Sequence, residues 1–251
     1  MKNFKDVYDI FFNAGEVTEI RAFGLSRTNK AWEGWAGGTG IVYGYFDNPD
    51  DFARAAAALE RLKAPGIYFT INPVIPDLLA RSANRLKAAG AKPLQTSDKN
   101  ILCIRWLPID LDPVRPSGIS STNTELKYSL KVQLRIKEYI EHKFTQSKPP
   151  ILAVSGNGAH LLYRLEDLPN TEKITDLIRR ALAGIGKEFS NKKINVDQKV
   201  FNPARIWKLY GTTGRKGDHT KTRPHRKSYI IYKPTASTGT HPKNKKKTTK
   251  V

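Results

Sequence analysis

Cysteine is almost missing from this chain of 251 residues: Cys103 stands alone, inside an apolar run. A single cysteine excludes a disulfide within the chain and a cysteine-built zinc site, so no zinc is expected, and it fits a reducing, cytoplasmic setting. Long apolar runs are missing too. No segment approaches the ~20 residues of a membrane span, and no N-terminal run has the length and flanks of a signal peptide. The expectation is therefore a soluble protein with no membrane partner. Acid is scarce: 43 Lys and Arg stand against 23 Asp and Glu, a net charge of +20. Setting aside residues 241–251, with five lysines and no acid, still leaves +15. On a folded body that excess calls for a polyanion. Nucleic acid fits better than a membrane, because no basic amphipathic helix with an aromatic face is present. The alternative is a generically basic, soluble protein.

What is present reads as alternating strands and helices, long enough to bury a core without staples. After an aromatic-rich lead, a strand is expected over 16–25. Residues 31–40, with Trp32 and Trp35, read as a loop that lacks the Lys-Ser/Thr ending of a phosphate-cradling P-loop. A strand at 41–46 precedes Asn48-Pro49-Asp50, which caps a helix to about residue 63. A strand at 66–71 and a helix over 76–89, closed by Gly90, follow. Beyond a strand at 101–111 and a polar loop at 117–123, the spacing of Leu126, Leu130, Leu134 and Ile140 predicts a packing helix over 124–144. Pro149-Pro150 ends it. Strands 151–154 and 159–165 then make a hairpin around Ser155-Gly156-Asn157-Gly158. A helix over 171–190 and a last strand at 228–232 complete an α/β or α+β pattern, with no internal repeat.

The chain is organised around Leu107-Pro-Ile-Asp-Leu-Asp-Pro-Val-Arg115. In a strand residues two apart share a face, so Asp110 and Asp112 align at its end while Ile109 and Leu111 point to a core. Two aligned carboxylates are a divalent-metal platform; alone, they are also an ordinary solvated strand end. On the second hairpin strand His160, Leu162 and Arg164 share a face, which lets His160 donate to an anion held over the Ser155–Gly158 turn. A histidine after a hairpin is also commonly incidental. Downstream, Asp197 is a third carboxylate, and residues 191–228 carry eleven Lys/Arg and two acids. These cations, including Arg205, Lys208, Arg215, Lys216, Arg223 and Arg226, lie among Phe201, Trp207 and Tyr210. Cations neutralise phosphates and rings stack on bases; the alternative is a solvated basic loop. Three acids, one histidine and fixed cations are the parts of two-metal nucleotidyl transfer. All-carboxylate ligation favours magnesium or manganese over zinc.

Pro108-Ile-Asp-Leu-Asp-Pro-Val-Arg-Pro-Ser-Gly118, Ser155-Gly-Asn-Gly-Ala-His-Leu-Leu-Tyr163, Val196-Asp197 and Phe201-Asn-Pro-Ala-Arg-Ile-Trp-Lys-Leu-Tyr-Gly-Thr212 occur in that order. They resemble the successive motifs of the archaeo-eukaryotic primase superfamily, in particular the primase-polymerase domain of phage, plasmid and other mobile-element replication proteins. Tyr45-Phe-Asp and Tyr68-Phe-Thr-Ile-Asn-Pro look like that family's N-terminal module. The resemblance implies an α+β fold: an N-terminal α/β module over about 1–100, and a catalytic module over about 101–233 with an RNA-recognition-motif-like sheet flanked by helices. Residues 234–251 would be a basic disordered tail or linker. It implies two metal ions on Asp110, Asp112 and Asp197, the catalytic acids, and contact of His160 with the incoming triphosphate. Ser155, Asn157, Arg205 and Lys208 would complete the nucleotide site, and Arg115, Arg215, Lys216, Arg223 and Arg226 would contact nucleic acid. The implied partners are a single-stranded DNA template, a primer, dNTPs or rNTPs, and a helicase in cis on a longer chain or in trans. Two rivals use the same residues: a metal-dependent nuclease, and a non-catalytic single-stranded-DNA-binding or replication-initiator module.

Overall fold

The computed structural model describes residues 4–25, 40–90, 95–145 and 148–234. The loop expected at 31–40, except Gly40, and the tail beyond 234 lie outside them. The fold is α+β, built on two five-stranded antiparallel sheets and a two-stranded ribbon.

The first sheet follows the N-terminal half of the chain. Helix α1 (Lys5–Phe11) buries Val7, Tyr8 and Phe11, and strands β1 (Thr18–Phe23), β2 (Val42–Phe46) and β3 (Gly66–Thr70) follow. Helix α2 (Pro49–Arg61) starts where the sequence predicts it: the Asn48 side chain accepts hydrogen bonds from the amides of Asp50 and Asp51. Such a cap is worth about 1 kcal/mol. The helix expected over 76–89 is not formed. A 3₁₀ turn at Pro76–Arg81 gives way at Ser82, Asn84 takes a positive φ of 49°, and a short strand β4 (Lys87–Ala88) pairs with β2. The physical reason is the open edge of β2. Tyr45 exchanges backbone bonds with Ser82 and Asn84, and those bonds compete with helical ones.

The second sheet is carried by β5 (Cys103–Pro113), α3 (Asn123–Lys143), β6 (Ile151–Val154), β7 (Ala159–Pro169), α4 (Glu172–Phe189) and β8 (Ile194–Val196). A final strand β12 (Tyr229–Tyr232) adds to β6, giving the order β12-β6-β7-β5-β8. Thr122 and Glu125 form a reciprocal cap that starts α3. The buried stripe of α3 is Ser129, Val132, Gln133, Ile136 and Ile140, whereas Leu134 is half exposed. Of the predicted stripe, Ile140 is buried and Leu130 packs against the core, while Leu134 turns outward and Gln133 joins the inward face, its side-chain amide donating to the Ala153 and His160 carbonyls.

The sheets share one core, because β9 (Ile206–Lys208) leaves the second half of the chain to pair with β3. The ribbon is β10 (Thr213–Gly214) with β11 (Arg226–Lys227). Arg105 of β5, 2% exposed, ties the two halves. Its guanidinium donates to Glu16, to the Phe11 carbonyl and to Asp167 of β7. Among the described residues no helix is long and apolar enough to cross a membrane.

Candidate active site

Strand β5 lies between β7 and β8, and this position assembles the site. Asp110 is the direct partner of His160 on β7, and Leu111 that of Val196 on β8. Asp197 follows β8 and donates its backbone N–H to the Asp110 carbonyl at 2.9 Å. Ile109 and Leu111 are fully buried, and Asp110 and Asp112 face a cavity of about 160 Å³. The same cavity is lined by Asp197, Ser155, Asn157, His160, Arg205, Lys208 and Lys216. Residues as far apart in sequence as Asp110 and Lys216 thus meet in one hollow between the sheets.

The hairpin turn presses against the end of β5. A Cβ on Gly158 would meet the Leu111 carbonyl oxygen at 2.2 Å, so only glycine fits. Gly156 takes a φ of +104°, which also favours glycine. The Ser155 hydroxyl accepts from the Gly158 amide at 2.9 Å, and the Asn157 amide oxygen accepts from the Ser121 amide at 2.9 Å.

The electrostatics are opposed within a few residues. Burial pushes the Asp112 carboxyl above the usual carboxylate range and Asp110 pushes it further, against the pull of Arg115 and Lys216. Across the cavity Lys208 is 7% exposed, and burial lowers its ammonium to about 7. Lys208 sits opposite Tyr68 on β3, its Nζ 5.7 Å from the ring centre, and donates to the Thr213 carbonyl at 3.2 Å. Burial, then Asp110 and Asp112, raise the Tyr68 hydroxyl.

Among the described residues no group of three or more His, Cys, Asp or Glu side chains is assembled to hold a metal ion. Asp197 reaches the cavity, but its Oδ1 accepts from the Lys199 amide at 2.8 Å. The donor set still fits a hard divalent cation. Magnesium characteristically takes one or two carboxylates and draws its remaining oxygens from water and phosphate, and two neighbouring carboxylates such as Asp110 and Asp112 favour a cation.

Other sequence-predicted residues lie apart from the cavity or are engaged within the fold. Arg215 pairs with Glu60 at 2.8 Å, Arg223 with Glu125 at 3.0 Å, and Arg226 with the Ser121 carbonyl and Asn123. Arg115 donates to the Pro113 and Ile119 carbonyls and lies 3.4 Å from Asp112. Arg205 donates to the Lys199 carbonyl, while its Nε is buried with no hydrogen-bond partner. Trp207 and Tyr210 are 3% and 0% exposed, so they belong to the core and are not surfaces for stacked bases. Sequence reading placed Tyr68 in a motif of the N-terminal module but not in the cavity, which it reaches through the β3–β9 register, and it missed Glu60, which holds Thr213 and Arg215; neither contact leaves a local signal.

No family model matches the sequence, and no curated protein matches it. Two solved structures are similar to the fold, a polymerase domain and a primase. The first is the polymerase domain of Mycobacterium tuberculosis ligase D, solved in complex with DNA. It is 13% identical with a TM-score of 0.46, over 89% of this chain and 78% of that one. The second is the primase RepB′, 10% identical with a TM-score of 0.44, over 91% of this chain and 56% of that one.

Proposed function

We propose that residues 1–233 form a template-directed DNA primase/polymerase domain that catalyses nucleotidyl transfer for a mobile replicating element in the cytoplasm. The observation that carries this reading is the cavity in which Asp110 and Asp112 face His160 and Lys208. Acids that attract a metal stand beside cations and donors that suit a triphosphate. The order β5-α3-β6-β7-α4-β8 with strand neighbours β6-β7-β5-β8 supports the RNA-recognition-motif-like assignment of the catalytic module.

Magnesium or manganese, held by Asp110 and Asp112 with Asp197, would lower the pKa of an attacking 3′-hydroxyl and offset charge on the leaving pyrophosphate. The chain's own residues do the rest. His160 and Lys208 hold the phosphates, Ser155 and Asn157 shape the turn above them, and Arg115 orients Asp112. Lys216 at the rim meets template or primer phosphate, and a helicase in cis or in trans would open the duplex. A nuclease would use the same acids with little need of His160 and Lys208. A silent single-strand-binding or replication-initiator module would need neither set.

One assay separates the three. With template, primer, nucleotides and manganese, the polymerase reading expects extension products, a nuclease gives degradation, and a binding module gives only a mobility shift.

A further inference from the structure

Trp207, Tyr210 and His160 form a buried chain of polar contacts behind the cavity. Trp207 Nε1 lies 2.9 Å from Tyr210 Oη, and that oxygen lies 2.8 Å from His160 Nδ1. The imidazole packs against the indole with ring centres 4.2 Å apart, and its Nε2 faces Asp110 Oδ1 at 3.4 Å. The Gln133 bond to the His160 carbonyl, at 2.6 Å, fixes the backbone beneath the ring.

The direction of each bond follows from what these groups can donate. An indole N–H only donates, so the Tyr210 oxygen accepts from Trp207. The hydroxyl proton of Tyr210 then needs an acceptor of its own, because a fully buried hydroxyl without one is strongly disfavoured. His160 Nδ1 is in reach and can accept only if it carries no proton. The neutral ring is therefore protonated on Nε2, the nitrogen turned toward Asp110 and the cavity.

We propose that Tyr210 is a positioning residue that locks His160 in the Nε2–H form, so that the ring offers a donor to an anionic oxygen bound beside Asp110. In the polymerase reading, on which this last clause rests, that oxygen belongs to the phosphates of the incoming nucleotide. The rival tautomer would turn a lone pair toward Asp110 and toward any phosphate. It would also leave the Tyr210 proton without a partner.

Nitrogen-15 NMR of the full chain, at about pH 9 and so above the ordinary imidazole range, reads the tautomer directly, with His160→Gln assigning the ring among five histidines. The parent shows Nε2 protonated and Nδ1 bare; Tyr210→Phe shows mixed tautomers. In parallel, dATP affinity in Tyr210→Phe falls about threefold to tenfold, the scale of one hydrogen bond. Single-stranded DNA affinity stays at the parental value, and adding Tyr210→Phe to His160→Gln costs nothing more. A parent ring protonated on Nδ1 overturns the assignment whether or not any variant folds. So does a folded Tyr210→Phe that keeps the parental tautomer and dATP affinity. A parent with the Nε2–H signature that takes up no nucleotide overturns the polymerase reading, while the Tyr210 assignment stands.

Discussion

His160 and Asp110 are direct partners across the β5–β7 ladder, with His160 Nε2 3.4 Å from Asp110 Oδ1. At that separation the imidazole is near enough to help hold an anion bound beside Asp110, and too far for a strong bond of its own to the carboxylate. Replacing it should therefore act on nucleotide and leave template untouched. His160→Gln keeps most of the ring's volume against Trp207 and should weaken nucleotide use by about 1.5–3 kcal/mol, the range for a charge-assisted contact. Steady-state KM and kcat beside template affinity check this; unchanged nucleotide parameters remove His160 from the site.

Lys208 is a cation kept where it costs stability. Its folded pKa, about 7, lies below the unfolded value near 10.4. The charged form is thus penalised by folding, fully below pH 7, and the penalty fades as pH rises toward the unfolded value. Lys208→Met should raise the melting temperature most at about pH 6 and progressively less toward pH 10, while abolishing nucleotide incorporation. A variant that melts lower at every pH would show that Lys208 is structural.

The Arg105 cluster gives the opposite pH dependence. Hydrogen bonds from Arg105, opposed by burial and helped by Arg164, hold the Asp167 carboxyl down to about 2. Burial raises Glu16, but Arg105 and Asn13 outweigh it and leave it lowered. A depressed carboxylate contributes stability that is present above its unfolded pKa near 4 and is lost as pH falls through the folded value. Asp167→Asn and Glu16→Gln should each lower the melting temperature at pH 7 and converge on the parent as pH falls toward 2. Arg105→Met, which leaves Glu16 to Asn13 and Asp167 to Arg164, should be the most damaging, by about 1–3 kcal/mol. Thermal unfolding across pH reads all three.

Among the basic residues the structure separates exposed cations from those paired within the fold. Affinity for single-stranded DNA should fall with salt by a slope of about −0.7 per phosphate neutralised. Lys216→Glu with Lys221→Glu, both exposed, should make that slope shallower. Arg215→Ala instead leaves the half-buried Glu60 unpaired and should lower the melting temperature with little change in slope. A flat salt response in the parent would assign the charge to solubility.

The candidate site was legible in sequence wherever local geometry carries the signal. Alternation along β5 places Asp110 and Asp112 together, and the Ser-Gly-Asn-Gly turn marks the hairpin that delivers His160. The Asn48-Pro49 start of α2 is local too. What was not legible depends on partners far away. The 76–89 segment reads as a helix closed by Gly90 but is captured by the edge of β2. The inward face of α3 is set by Gln133 reaching two strand carbonyls. Trp207 and Tyr210 have the residue types of a base-stacking surface, yet β9 pairing buries them behind His160. Likewise Arg215 and Arg223 read as free cations until Glu60 and Glu125 arrive from other elements.

The central claim is that Asp110, Asp112 and Asp197 serve chemistry and not template binding, and Asp112 tests it most directly. Its carboxyl is raised by burial and by Asp110, so the fold should tolerate its removal. Primer extension and template affinity for Asp112→Ala are measured beside the parent, with circular dichroism to confirm folding. The expected result is no detectable extension, template binding equal to or slightly tighter than the parent, and an intact fold. Extension by the folded variant at more than about a tenth of the parental rate, an effect below ~1.4 kcal/mol, would contradict the assignment.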